Sequence, residues 1–181
     1  MIDLALQNPD NASTQFYIYS RWPRRDEKGE GENKTYALDY AVKWNREYTG
    51  GWDGTNESRD YFEKLVMALR KEYPKLKPIL LVPVGDVLLE IDKRAQAGKL
   101  PGLQSVSEFY HDGIHFNNVG AFAVATTFYA TMFKETPVGL KADAFAPGKE
   151  SHDREISPEL AKAIQQTVWD VVSTHKLAGV K

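Results

Sequence analysis

One almost unbroken apolar run, Pro78-Ile79-Leu80-Leu81-Val82-Pro83-Val84, constrains this chain more than any other stretch. A strand with one wet face alternates apolar and polar side chains. A run without alternation reads as a strand buried on both faces, which is the habit of parallel sheets. Helical patterns flank it. Residues 57–73 put Tyr61, Phe62, Leu65, Val66 and Leu69 on one face and stop at Tyr73-Pro74. Gly85-Asp86 turns straight into a helix over 86–97, carrying Val87, Leu88, Ile91 and Ala95 and ended by Gly98. Helix, buried strand, helix implies right-handed crossovers and a parallel sheet. A second strand is predicted over 15–19, where Gln15-Phe16-Tyr17-Ile18-Tyr19 is dense in aromatic and β-branched residues. The two strands are expected to lie parallel and adjacent. Further helices are predicted over 118–133 and 158–174, the second with Ser157 as N-cap and Pro158 in its first position. Leu4-Ala5-Leu6 reads as a helix ending in a turn at Pro9, and residues 141–153 as irregular. The expected fold class is α/β, a parallel sheet flanked by helices, in a single domain spanning 1–181.

A chain of 181 residues suits one domain with a sizeable core, and no repeat divides it. The formal charge of −2 provides no basic field, so no nucleic-acid partner is expected. The lack of cysteine excludes disulfides, thiolate nucleophiles and cysteine-based zinc sites. No apolar run has the length of a membrane span, and no membrane partner is expected. Met1-Ile2-Asp3-Leu4-Ala5-Leu6 lacks the basic and apolar segments of a signal peptide and reads as a helix already in progress. The compartment stays unassigned.

Residues 21–56 form an aromatic-rich, charged insertion. Ser20-Arg21-Trp22-Pro23-Arg24-Arg25 sits at the carboxyl end of the first strand, where open α/β sheets bind ligands, so Trp22 and Arg21 are candidates for a substrate rim. A surface turn with a half-buried Trp is the plainer reading. Asp26-Glu27-Lys28-Gly29-Glu30-Gly31-Glu32 reads as a solvated loop, and residues 36–48 as a short helix presenting Tyr36, Tyr40 and Trp44. Gly50-Gly51-Trp52-Asp53-Gly54 is a turn cluster. Trp44, Tyr48 and Trp52 either stack on sugar rings or staple the insertion to the domain, and stapling is preferred.

The chemistry-bearing residues concentrate in His111-Asp112-Gly113-Ile114-His115-Phe116-Asn117-Asn118-Val119-Gly120, where a loop enters a long apolar helix. An Asp three residues before a His can fold back onto the imidazole in a tight turn, which Gly113 permits. The carboxylate would fix the ring tautomer and leave the other nitrogen free to take a proton. Asn117 or Asn118 reads as the helix N-cap. Plain turn chemistry accounts for the same spacing equally well. His111 reads as a surface or supporting residue.

With Val119-Gly120 and the apolar helix behind it, Asp112-Gly113-Ile114-His115-Phe116-Asn117 resembles the closing block of the SGNH (GDSL-type) hydrolases, whose Asp-x-x-His element supplies two triad members just before a C-terminal helix. The strand before Gly85-Asp86 resembles the last sheet strand ahead of that block, and the strand before Arg21-Trp22 the one preceding it. The likeness spans roughly residues 1–137, with its specific content in 112–120. It implies a three-layer α/β/α, flavodoxin-like fold and hydrolysis of acyl or carbohydrate esters, without metal or cofactor. His115 would be the general base and Asp112 its orienting carboxylate, with Trp22, Arg21 and Asn117 meeting a small ester or an acylated carbohydrate. The chain departs from the family at the nucleophile. No serine stands in a Gly-Asp-Ser-type block, Gly85-Asp86 being followed by Val87, and the family's Gly and Asn oxyanion blocks are not recognisable. Fewer strands are legible than that fold has, and open sheet edges are costly. The expectation is the C-terminal part of a longer enzyme lacking the N-terminal strands, inactive alone, its open edge covered in a homo-oligomer. Ser20 is the first serine to test as a substitute nucleophile.

Two rival classes remain. A metal-dependent hydrolase would use His111, Asp112 and His115, with His152-Asp153 as the one candidate partner. A non-catalytic module would use the aromatic insertion to grip a glycan or a second chain, and it needs no serine.

Overall fold

The computed structural model describes residues 1–148 and 152–180. In chain order its elements are α1 (Ile2–Leu6), β1 (Tyr17–Tyr19), β2 (Asp26–Lys28), β3 (Thr35–Ala37), α2 (Tyr40–Trp44), α3 (Arg59–Glu72), β4 (Leu80–Val82), α4 (Val84–Gln96), α5 (Asn118–Phe133) and α6 (Pro158–Val172), joined in places by short 3-10 turns. The chain is α/β. β1 and β4 pair in parallel, with Tyr17 opposite Leu80, Ile18 opposite Leu81 and Tyr19 opposite Val82. All three β4 residues are buried, as their lack of alternation required. Helices α3 and α5 pack against β4, and α6 packs on α4 and α5. The core between them is built from Val66, Leu81, Val82, Leu88, Ile91, Val119, Ile164 and Val168.

The edges of this small sheet are treated differently. On β4 the Leu81 N–H donates to Leu177 O at 2.9 Å, so the segment after α6 closes that side. Gly179 (φ +68°) lets the segment press on Leu80, whose Cδ2 would stand 2.7 Å from an added Cβ. β1 has no strand on its other side among the described residues.

Helix α4 starts two residues earlier than its apolar pattern indicates, because its first turn is capped from outside. Ser20 Oγ, just past β1, accepts from Gly85 N at 3.3 Å and donates to Val82 O at 3.0 Å. Ser58 and Ser157 cap α3 and α6 through Tyr61 N and Leu160 N.

The insertion differs most from expectation. Residues 26–32 are not simply a loop: β2 pairs antiparallel with β3, the turn between them using Gly29 (φ +84°) and Gly31 (φ +55°). Tyr36 therefore lies on a strand, and the expected helix over 36–48 shrinks to α2, started by Asp39 accepting from Val42 N at 2.9 Å. Tyr40 and Trp44 are buried, Trp44 completely, so they staple the insertion to α4. Tyr48 packs edge-on against Tyr61, whereas Trp52 is 89% exposed. Of the expected irregular stretch 141–153, residues 143–145 make a 3-10 turn and residues 149–151 lie outside the described residues.

Candidate functional site

The loop before α5 is fixed at both ends. Ser105 and Glu108 form a capping box on the 3-10 turn Val106–Phe109, and Asn117 Oδ1 accepts from Val119 N and Gly120 N, both at 3.1 Å. Between them Tyr110 and Phe116 form an antiparallel bridge, and His111 N donates to His115 O at 3.0 Å. Residues 111–115 are thus a tight hairpin loop, with His111 and His115 facing each other across its base.

Asp112 folds into this loop. Its Oδ1 accepts from Ile114 N and His115 N, both at 2.7 Å, and its Oδ2 lies 2.7 Å from His115 Nδ1. Burial works against ionisation, but the His115 ring and the two backbone N–H groups outweigh it and hold the Asp112 carboxyl well below the usual carboxylate range. An ionised Asp112 keeps the ring proton on Nδ1. Nε2 is then left as a bare acceptor, and it has no hydrogen-bond partner among the described residues. The His115 side chain is 71% exposed. Gly113 does not supply a left-handed φ to the turn, and an added Cβ would meet only ordinary contacts there.

The insertion clamps the loop from one side. Trp22 stacks on Phe116 (ring centres 3.8 Å apart, planes 14° apart), and its Nε1 donates to Ile114 O at 2.7 Å. Arg25 N donates to Gly113 O at 2.8 Å, and Arg25 Nη1 reaches Asp112 O at 3.2 Å. The Arg25 guanidinium lies over the Tyr36 ring at 4.5 Å. Because Trp22 follows β1 by three residues, the Asp112–His115 pair stands at the carboxyl end of the parallel strands. Gly120 completes the fit: a Cβ there would come within 2.7 Å of the Phe116 ring.

Not every candidate faces an open site. Asn117 is 6% exposed, and both halves of its carboxamide are engaged, Nδ2 donating to Glu108 O at 2.8 Å and to His152 O at 3.2 Å. It positions the loop and leaves no free polar atom for a ligand. Arg21 pairs at 2.6 Å with Glu57, a buried carboxylate that also accepts from Arg24 Nε at 2.9 Å and Arg24 N at 2.8 Å. Ser20 is fully buried with its hydroxyl committed to capping α4, so it is not a substitute nucleophile.

A cleft of about 820 Å³ opens beside Asp112, Gly113 and Ile114, lined also by Arg25, Tyr36, Arg46 and Trp52. Sequence reasoning missed Arg25 as a clamp and Glu57 as a hub, since nothing in the spacing of either residue marks it. It weighed His152 only as part of a metal-ligand pair with Asp153, and Asn118 only as a possible helix cap. In the fold the His152 ring stands 5.4 Å from that of His111, and Asn118 Nδ2 donates to Phe145 O at 2.8 Å and Arg154 O at 2.7 Å, tying that distant loop to the site. No described helix is long and apolar enough to cross a membrane. Comparison with protein-family models, with curated proteins and with solved structures returned no match.

Proposed function

We propose that this chain carries the acid–base half of an SGNH-type ester-hydrolase site, with His115 as general base and Asp112 as its orienting carboxylate. One observation carries the reading: the 2.7 Å contact of Asp112 Oδ2 with His115 Nδ1, in a loop at the carboxyl end of a parallel strand pair, leaves Nε2 bare and exposed. A base so oriented takes a proton from an attacking hydroxyl, and the fixed carboxylate stabilises the imidazolium that forms. The three-layer α/β/α arrangement belongs to the same proposal, with further strands beside the open edge of β1 or a second copy covering it. The serine and its oxyanion donors come from outside this sequence. The exposed Trp52 on the adjoining cleft favours an acylated carbohydrate over a simple ester, because an exposed aromatic face stacks on sugar rings.

The experiment compares the chain alone with the chain extended by any coding sequence upstream of it. The chain alone should neither hydrolyse small acyl esters nor be labelled by a serine-directed phosphonate. The extended product should do both, and His115→Gln in it should lower kcat about 10⁴-fold or more with the fold intact. Phosphonate labelling of the 181-residue chain, or full activity of His115→Gln, refutes the reading. The exposed Trp52 also favours a second reading, a glycan-binding module without turnover; glycan affinity in the chain alone, lost in Trp52→Ala, would support it.

A further inference from the structure

We infer that His111, Asp112, His115 and His152 form a binding site for one divalent transition-metal ion of the zinc, nickel or copper class. The site stands or falls independently of the ester reading, since it needs no nucleophile. His111, Asp112 and His115 each offer one ligand atom, and these atoms all lie within 4.8 Å of one another. The hairpin explains the convergence. Tyr110 pairs with Phe116, so the next residues inward, His111 and His115, are opposed across the loop, where side chains are near neighbours.

Ring spacing fits chelation. Two imidazoles holding one ion through nitrogens about 2.1 Å from it have ring centres roughly 5–6.5 Å apart. The ring centres of His111 and His115 are 5.7 Å apart, and those of His111 and His152 are 5.4 Å apart. A third imidazole thus arrives from a loop 37 residues further along the chain.

That loop is held in place. Besides the Asn117 and Asn118 bonds already described, Asn118 N donates to Asp153 Oδ1 at 3.1 Å, Arg154 N donates to Asn118 Oδ1 at 3.1 Å, and Arg154 pairs with Glu108 at 2.7 Å. All three histidines are exposed, so small side-chain rotations can bring their nitrogens onto one ion while water fills the remaining positions.

The donor set selects the ion. Neutral imidazoles suit zinc, nickel and copper, whereas magnesium and calcium demand oxygen cages. Asp112 supports the site from behind the ring: its 2.7 Å contact with His115 Nδ1 keeps the imidazole turned so that Nε2 is the nitrogen free to ligate. The ion therefore takes the same lone pair that a general base would use, and bound metal and proton abstraction at His115 exclude each other.

The test is isothermal titration of the 181-residue chain with ZnCl₂ and with NiCl₂, using MgCl₂ as control. One zinc or nickel ion per chain should bind saturably, and magnesium should not. His111→Ala and His115→Ala should each weaken zinc binding roughly tenfold or more, and His152→Ala should weaken it measurably. Zinc should also shift the ring resonances of His111, His115 and His152 in the unmodified chain and leave those of His175 in place, a readout that does not depend on any variant folding. Absence of saturable binding, undiminished binding in the His111→Ala/His115→Ala double variant, an unaffected His152→Ala, or shifts confined to His175 overturns the site. Each outcome is read as metal binding in the chain alone and not as turnover, so the two readings fail separately.

Discussion

Replacing Gly85 by alanine adds one methyl group at a point where the fold has no room for it. A Cβ built there falls inside the van der Waals envelope of Trp44 Cη2, Cζ2 and Cζ3. The indole cannot swing aside freely: it is fully buried, its Nε1 donates to Asp86 Oδ1 at 3.0 Å, and Phe62 packs 6.1 Å away, ring centre to ring centre. Alanine gains up to about 1 kcal/mol over glycine in a helix, and less in a first turn. Forcing a methyl into a packed core costs about 1–3 kcal/mol, with this overlap at the upper end. The net loss should be about 2 kcal/mol, read as a lower urea midpoint at constant slope and a fall in Tm of about 4–8 °C. Trp44→Phe removes the overlapping ring atoms, so Gly85→Ala should cost much less in that background, with a coupling of about 1 kcal/mol or more between the two changes. If Gly85→Ala shifts stability by no more than about 0.5 kcal/mol, as an inert surface change does, or if the two substitutions are additive, the insertion is not fastened to α4 in the way described.

Asp86 makes a pH prediction. Burial pushes its carboxyl up, but His175, 3.4 Å from Oδ2, the Arg59 guanidinium 2.6 Å from Oδ1 and the Trp44 N–H outweigh this and hold it below the usual value. A carboxyl depressed by folding contributes stability above its unfolded pKa of about 3.9 and loses it as pH falls through the lower folded value. Denaturation midpoints should therefore drop more steeply below about pH 4 in the parent than in Asp86→Asn; equal slopes in the two proteins would refute the assignment. Asn118→Ala should leave Phe145 O, Arg154 O and Arg154 N without their partner, costing about 2 kcal/mol and speeding amide exchange in residues 145–148 and 152–154. Unchanged exchange there would mean that the loop bearing His152 is held by something else.

The parallel pair was legible because β4 lacks alternation, and the four long helices because each carries a sustained apolar pattern with a start or stop signal at one end at least, such as Asn117 before α5 and Ser157-Pro158 at the start of α6. The local half of the site was legible for a similar reason: Asp112 reaches His115 through bonds that span three residues, so spacing alone carries the geometry. What spacing cannot carry is contact between distant segments. The β2–β3 hairpin depends on two left-handed glycines in a stretch whose charge pattern reads as solvent-exposed. Arg25 clamps a loop 87 residues away, and His152 meets His111 only because Asn117 and Asn118 bind the backbone beside it. The early start of α4 was hidden likewise, its cap being supplied by Ser20 from just past β1.

The hairpin loop of residues 111–115 has a kinetic consequence. Its defining bonds, from Asp112 to Ile114 and His115 and from His111 to His115, join residues no more than four apart, so closing the loop forfeits little chain entropy. Trp22 and Arg25 must instead be brought in across roughly ninety residues, and contacts of such long separation form late. During folding, the carboxylate and imidazole should therefore meet while the ring's final aim is still unset. That aim becomes fixed only when the insertion docks on Phe116, which makes the docking step the moment at which an otherwise portable turn acquires an orientation.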